Sequence, residues 1–212
     1  MRADVLIRRV LKPLVFLLCL GPLAWLAWRA AGPGFGPNPA EFLNRFLGDW
    51  AIRFLLMALA VTPLRGITGW AGLVRFRRML GLYAFFYVCL HLSSYTVVDQ
   101  FFDWSAILKD ILKRNFITVG MIAFTLLVPL AITSTKGMVK RLGAARWQKL
   151  HRLVYAAGIL GCVHYFMMVK GNQPEPLYHG AILAVLLGYR VVVWAKRLTV
   201  ARRNARESMR AA

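Results

Sequence analysis

Four long stretches of this chain carry no charged residue: 13–28, 79–98, 116–135 and 153–169. A helix needs about 20 residues to cross the hydrocarbon core of a bilayer. The middle two satisfy this directly. The outer two do so if Lys12, Arg29, Arg152 and Lys170 extend their stems toward the headgroups. Two further apolar segments complete the set, one with Asp49 and Arg53 near its start, the other with Arg190 near its end. The pattern predicts an all-α membrane bundle of six transmembrane helices, at about 11–29, 47–64, 79–98, 116–135, 150–169 and 178–195. A basic cytoplasmic tail follows over 196–212. Composition agrees: 59% of residues are hydrophobic and the mean hydropathy is +0.56, too apolar for a soluble domain.

The formal charge of +20 is distributed around the spans rather than in one patch with interleaved aromatics, which argues against nucleic acid as a partner. Lys and Arg instead set the orientation. Arg2, Arg8, Arg9 and Lys12 precede the first span. Arg65, Arg75, Arg77 and Arg78 lie between the second and third. Lys136, Lys140, Arg141, Arg146, Lys149 and Arg152 lie between the fourth and fifth, and the tail is strongly basic. The opposite side holds far fewer cations: Arg29, Arg45, Lys109, Lys113, Arg114 and Lys170. Both termini are therefore expected in the cytoplasm. Arg29 follows the first span at once, in a poor cleavage context, so that span reads as a retained helix rather than a signal peptide.

Little else is punctuated. The outer connection 31–46 contains a Gly-Pro-rich run that should be irregular. Asn38-Pro39-Ala40-Glu41 reads as a helix start. The other outer connection, 99–115, has helical apolar spacing over 104–112 and is expected along the outer membrane surface. Cys19, Cys89 and Cys162 lie inside spans without metal-type spacing and read as packing residues. No internal repeat is visible. The tail is too short for a fused nucleotide-binding domain.

The chemistry concentrates in His91, His151 and His164. An ionisable group in a span is a functional-site hypothesis, and imidazole is an axial ligand of haem iron. His91 lies 12 residues past Met79 and His164 14 residues past Leu150. Both spans run outward, so both histidines lie about 18–21 Å from the cytoplasmic end at 1.5 Å per residue. Two imidazoles at one depth suit a bis-histidine haem. His151 lies about 20 Å deeper toward the cytoplasm and cannot serve the same iron. There the third span offers Arg77 and Arg78, a basic rim suited to haem propionates or a flavin phosphate. Blander alternatives stand beside these. A membrane histidine can simply hydrogen-bond a neighbouring helix. Arg77 and Arg78 satisfy the positive-inside rule, Arg190 can snorkel, and His179 can be a solvated helix-end residue. The eight acidic residues form no proton relay or paired general acid and base.

Several ordered motifs carry a resemblance. Residues 77–87 (Arg-Arg-Met-Leu-Gly-Leu-Tyr-Ala-Phe-Phe-Tyr), His91-Leu92-Ser93-Ser94-Tyr95 and 117–121 are among them. Residues 129–134, 147–155 around His151, His164-Tyr165 and Gly188-Tyr189-Arg190 complete the set. Together they make the chain similar to the MsrQ (YedZ-like) family across nearly its whole length. The resemblance implies a bacterial inner-membrane b-type cytochrome with a ferric-reductase-like transmembrane domain. It implies haem b, one or two, with His91, His164 and His151 as iron ligands, and FMN. It implies transfer of electrons to a periplasmic MsrP-type molybdopterin reductase of protein methionine sulfoxide, with the quinone pool or a cytosolic flavin reductase as donor. Relatives with two stacked haems carry an inner histidine on the third span. Here Arg77 and Arg78 occupy that position. The chain then reads as an electron-transfer subunit, not a stand-alone catalyst. Its rivals are a direct transmembrane ferric or oxygen reductase and a cofactor-free transporter.

Overall fold

The computed structural model describes residues 2–169 and 173–211, all helix, turn and irregular connection; Lys170 lies outside them. Nine helical segments follow in order: α1 (Asp4–Ala31), α2 (Pro39–Thr68), α3 (Ala71–Asp99), α4 (Trp104–Lys113), α5 (Asn115–Ile132), α6 (Lys136–Leu142), α7 (Ala144–Leu150), α8 (Leu153–Met168) and α9 (Glu175–Ala211). Among the described residues, α1, α2, α3, α5 and α9 are long and apolar enough to cross a membrane. α8 is as apolar but has only 16 residues, about 24 Å of helix.

The ends form where the residues allow. The Asn38 side chain accepts from the Glu41 amide at 3.2 Å, with Pro39 at the first helical position, and so opens α2. Gly69, at φ 69°, closes the same helix in the left-handed conformation that glycine adopts without strain. Asp103 opens α4 by accepting from the Ala106 amide at 2.9 Å. Two boundaries differ from the sequence expectation. The fifth span does not begin at 150: α8 starts at Leu153, after a turn through His151 and Arg152. His151 and His164 therefore do not share one continuous helix. The basic tail, in turn, continues α9 as helix through Ala211.

Two antiparallel pairs dominate the packing, α2 with α3 and α5 with α8, and α9 lies against both α2 and α8. Between apolar helices in lipid the drive is close packing and hydrogen bonding rather than water exclusion. α2 accordingly buries Leu47, Ala51, Leu55 and Leu59 at four-residue spacing. It stacks Phe42, Phe46, Trp50 and Phe54 along another stripe, where Trp25 of α1 packs on Phe46 at 5.0 Å. Tyr87, fully buried, donates to the Cys19 carbonyl at 2.9 Å, and Tyr83 to Phe16 at 3.0 Å, tying α3 to α1.

Arg190 has a structural role that snorkelling does not describe. Pro63 lies inside α2 and has no N–H to give to the carbonyl four residues earlier, at Leu59. Arg190 of α9 donates to that same carbonyl through one terminal nitrogen and to the Leu186 carbonyl, at 2.7 Å, through the other. Its guanidinium lies 5.5 Å from the Tyr155 ring. An acceptor stranded in an apolar helix is thus satisfied from a neighbouring helix. Arg190→Met should lower the stability of the detergent-solubilised protein by about 1–3 kcal/mol, the usual cost of a buried unsatisfied group. A denaturation midpoint equal to wild type would refute this role.

Candidate functional site: a paired-imidazole cavity

α3 carries His91 and α8 carries His164, and the two rings face each other with centroids 6.1 Å apart and planes 73° apart. Each ring is oriented by the helix paired with its own. Nδ1–H of His91 donates to the Asn44 carbonyl of α2 at 2.9 Å. Nδ1–H of His164 donates to the Phe116 carbonyl of α5 at 2.6 Å. A carbonyl can only accept, so the proton must sit on Nδ1 and the lone pair on Nε2. Backbone-anchored Nδ1–H with a bare Nε2 is the arrangement that orients histidine toward a metal. Neither Nε2 has a protein partner among the described residues.

The spacing allows a test of fit. Nε2 lies about 1.1 Å from the ring centre, and a metal–imidazole bond is about 2.0 Å, so two imidazoles on one iron would have centroids roughly 6.2 Å apart. The observed 6.1 Å matches. Both rings line a cavity of about 500 Å³ whose deeper walls include Ile52, Leu55, Ala84, Val88, Phe124 and Leu127. That volume and apolar lining are those of a cofactor site.

One glycine makes room for each ring. A Cβ on Gly48 would stand 3.2 Å from Nδ1 and Cε1 of His91; one on Gly120 would stand 2.8 Å from Nδ1 and 2.9 Å from Cε1 of His164. Each lies one helical turn past the carbonyl that anchors the same ring, at Asn44 and Phe116. The device therefore occurs twice. In each half one helix supplies a carbonyl and, four residues on, a glycine, and its antiparallel partner supplies a Cys-x-His whose histidine lies seven residues after a buried alanine, Ala84 or Ala157. Anchor and histidine are 47 residues apart in one half and 48 in the other. The expectation of no internal repeat is corrected: two hairpins repeat around the site.

His151 lies elsewhere. Thr133 gives its hydroxyl proton to the Pro129 carbonyl at 2.6 Å, so its oxygen accepts from Nε2–H of His151 at 3.1 Å. Trp147 stacks on the same ring at 3.8 Å and donates to the Thr133 carbonyl at 2.9 Å. Arg77 acts electrostatically on this imidazole, while Arg77 and Arg78 are both exposed. His179 is not a solvated end residue: it is buried, donates to the Glu175 carbonyl at 2.7 Å and packs 5.5 Å from Tyr165. The pairing of His91 with His164 follows from depth in the sequence. The anchoring carbonyls and glycines do not, although the repeated Cys-x-His was there to be read.

Apolar helices that bring two backbone-anchored imidazoles to one iron-sized gap define a membrane bundle of the haem-carrying type. The family described as ferric reductase like transmembrane component matches residues 47–162, which include both ring-seating glycines and His91. Relatives agree along most of their length. A protein-methionine-sulfoxide reductase heme-binding subunit MsrQ of Rhodospirillum rubrum is 56% identical over 183 residues, 86% of this chain and 88% of the relative. Its namesake in Caulobacter vibrioides is 51% identical over 189 residues, 89% of each chain. That of Herminiimonas arsenicoxydans is 52% identical over 191 residues, 89% of this chain and 88% of the relative. The chain belongs to the MsrQ family.

Proposed function

We propose that this protein is the haem-carrying electron-transfer subunit of a protein-methionine-sulfoxide reductase system in the bacterial inner membrane. The observation that carries the reading is the pair of imidazoles 6.1 Å apart, each with Nδ1 anchored to a carbonyl and Nε2 bare toward one cavity. The relatives are named as heme-binding subunits of such a system. Haem b held there supplies one-electron chemistry. The chain's own residues supply the rest. His91 and His164 ligate, Asn44 and Phe116 fix the rings, and the apolar wall keeps water away.

The chain crosses the membrane six times in this reading, α8 being the short crossing, with both termini in the cytoplasm. Electrons leave outward to a periplasmic MsrP-type molybdopterin reductase, where methionine sulfoxide is reduced. They enter from the quinone pool or a cytosolic flavin reductase. A second cofactor, FMN or a second haem, lies on the cytoplasmic side near His151, Arg77 and Arg78. The cations of α6 and α7 and the charge of Arg77 beside the His151 ring support an anionic group there.

Oxidised and dithionite-reduced absorption spectra of the detergent-purified protein test this. Low-spin b-type bands are expected in the wild type. His151→Ala should keep the bands of the His91/His164 site, because its ring touches neither histidine, and lose only what the cytoplasmic side contributes. A folded wild type that stays colourless when offered haem refutes the reading and favours the cofactor-free transporter.

A further inference from the structure

The cavity between the histidines is polar at one end only. Its deep wall is aliphatic and aromatic, whereas its mouth is lined by residues from the start of α2 and the α4–α5 junction, among them Arg45 and Arg114. Both cations are half exposed, on elements contributed by different halves of the bundle. Each is steadied by a carboxylate one turn earlier on its own segment. Arg45 meets Glu41 at 2.8 Å through a single terminal nitrogen, and Arg114 meets Asp110 at 3.0 Å through Nε alone. Asp110 also accepts from the Tyr95 hydroxyl at 3.0 Å, so a second cavity-lining side chain holds it in place. Guanidinium carries five donors in a fork that matches a carboxylate. Among the described residues, the terminal nitrogens of Arg114 and two of the three nitrogens of Arg45 have no further partner.

Other carboxylates at the mouth do not compete for those donors. Asp49 pairs with Arg53 at 3.5 Å and Asp99 accepts from Gln100 at 3.2 Å. The mouth thus holds two partly unused guanidinium groups, contributed by two different elements, at the polar end of an apolar pocket. A planar ligand with a greasy body and two carboxylates on one edge can enter only one way, because a carboxylate placed against Leu55 and Leu127 would be stripped of every partner.

We propose that Arg45 and Arg114 form a two-point carboxylate clamp at the outer mouth of the cavity, one arginine for each carboxylate of the bound tetrapyrrole. The clamp rests on the haem reading above and adds an orientation to it: the charged edge faces the outer side, and the apolar edge faces inward. Asp110 is a positioning residue for this clamp, since it touches Arg114 and Tyr95 rather than the ligand.

Apoprotein reconstituted with protohaem IX, or with its dimethyl ester, tests the clamp. The readouts are the rate of haem transfer to excess apomyoglobin and the midpoint potential. Arg45→Gln and Arg114→Gln should each speed loss of protohaem about tenfold, the value of one charge-assisted contact, and should shift the potential. Arg→Lys at either position should recover part of the loss. Arg53→Gln, which lies outside the cavity lining, should match wild type. With the dimethyl ester, wild type should lose haem as fast as the variants do, and the variants no faster than before. The clamp is overturned if the Gln variants release protohaem at the wild-type rate, or if they release protohaem and ester with the same ratio to wild type. Failure of wild type to give a low-spin spectrum with either haem would instead overturn the tetrapyrrole reading itself, and the clamp with it.

Discussion

His164→Ala should abolish the low-spin b-type spectrum, and His91→Ala should do the same. In the proposed reading each histidine would supply one of the two iron ligands, and among the described residues no third histidine lines the cavity. Removing one ring leaves either no pigment or a loosely held high-spin form. The lost imidazole also vacates a defined space beside the carbonyl that held it, at Phe116 for His164 and at Asn44 for His91. Free imidazole added to the purified variant can refill that space and donate to the same carbonyl. Low-spin bands should therefore return in the presence of millimolar imidazole. A His164→Ala protein that keeps a wild-type low-spin spectrum would show that the iron is held elsewhere.

Gly120→Ala is the second large effect, and it acts without touching a ligand atom. The added methyl would meet Nδ1 of His164 at 2.8 Å, closer than real side chains approach, while the ring is held from the other direction by its bond to Phe116. The ring must tilt or the carbonyl bond must lengthen, and either change shifts Nε2 from the position it holds opposite His91. We expect most of the low-spin haem to be lost or converted to high spin. Gly48→Ala should give the same defect in milder form, because its methyl meets His91 at 3.2 Å. Helix propensity runs the other way: alanine stabilises a helix interior by about 1 kcal/mol relative to glycine. The apoprotein of Gly120→Ala should thus be at least as resistant to denaturation as wild type while its haem occupancy falls. Equal occupancy in the two proteins would mean that the ring has room the structure does not show.

The contrast between histidine and glycine explains what could be read from the chain. Imidazole in a hydrophobic span announces itself because it is costly there, and constant rise per residue converts position into depth. His91 and His164 were therefore legible as a pair. A glycine in a helix gives no such signal, since its meaning depends on which ring lies across from it, and that is a tertiary fact. The same holds for Pro63 and Arg190. Each suggests a local irregularity, and only the packing of α9 on α2 shows that one satisfies the other. Depth arithmetic also has a limit. It treats a span as one rod, and the turn at His151 and Arg152 breaks the rod that was expected to carry both His151 and His164. The repeat is faint in the sequence because it rests on a few positions, chiefly Cys-x-His and the alanine before it, spread over two hairpins that share little else.

The doubled hairpin has a consequence for how the protein comes into being. Each half contributes one imidazole, one anchoring carbonyl and one ring-seating glycine, so neither half alone offers iron two axial ligands. The first hairpin leaves the ribosome with an incomplete site and must wait for the second. Contacts within each hairpin far outnumber those between them. A bound cofactor would then be the strongest tie across the seam, acting as a clasp that closes only on a fully inserted chain. Colour in this protein would report completed assembly as well as redox competence.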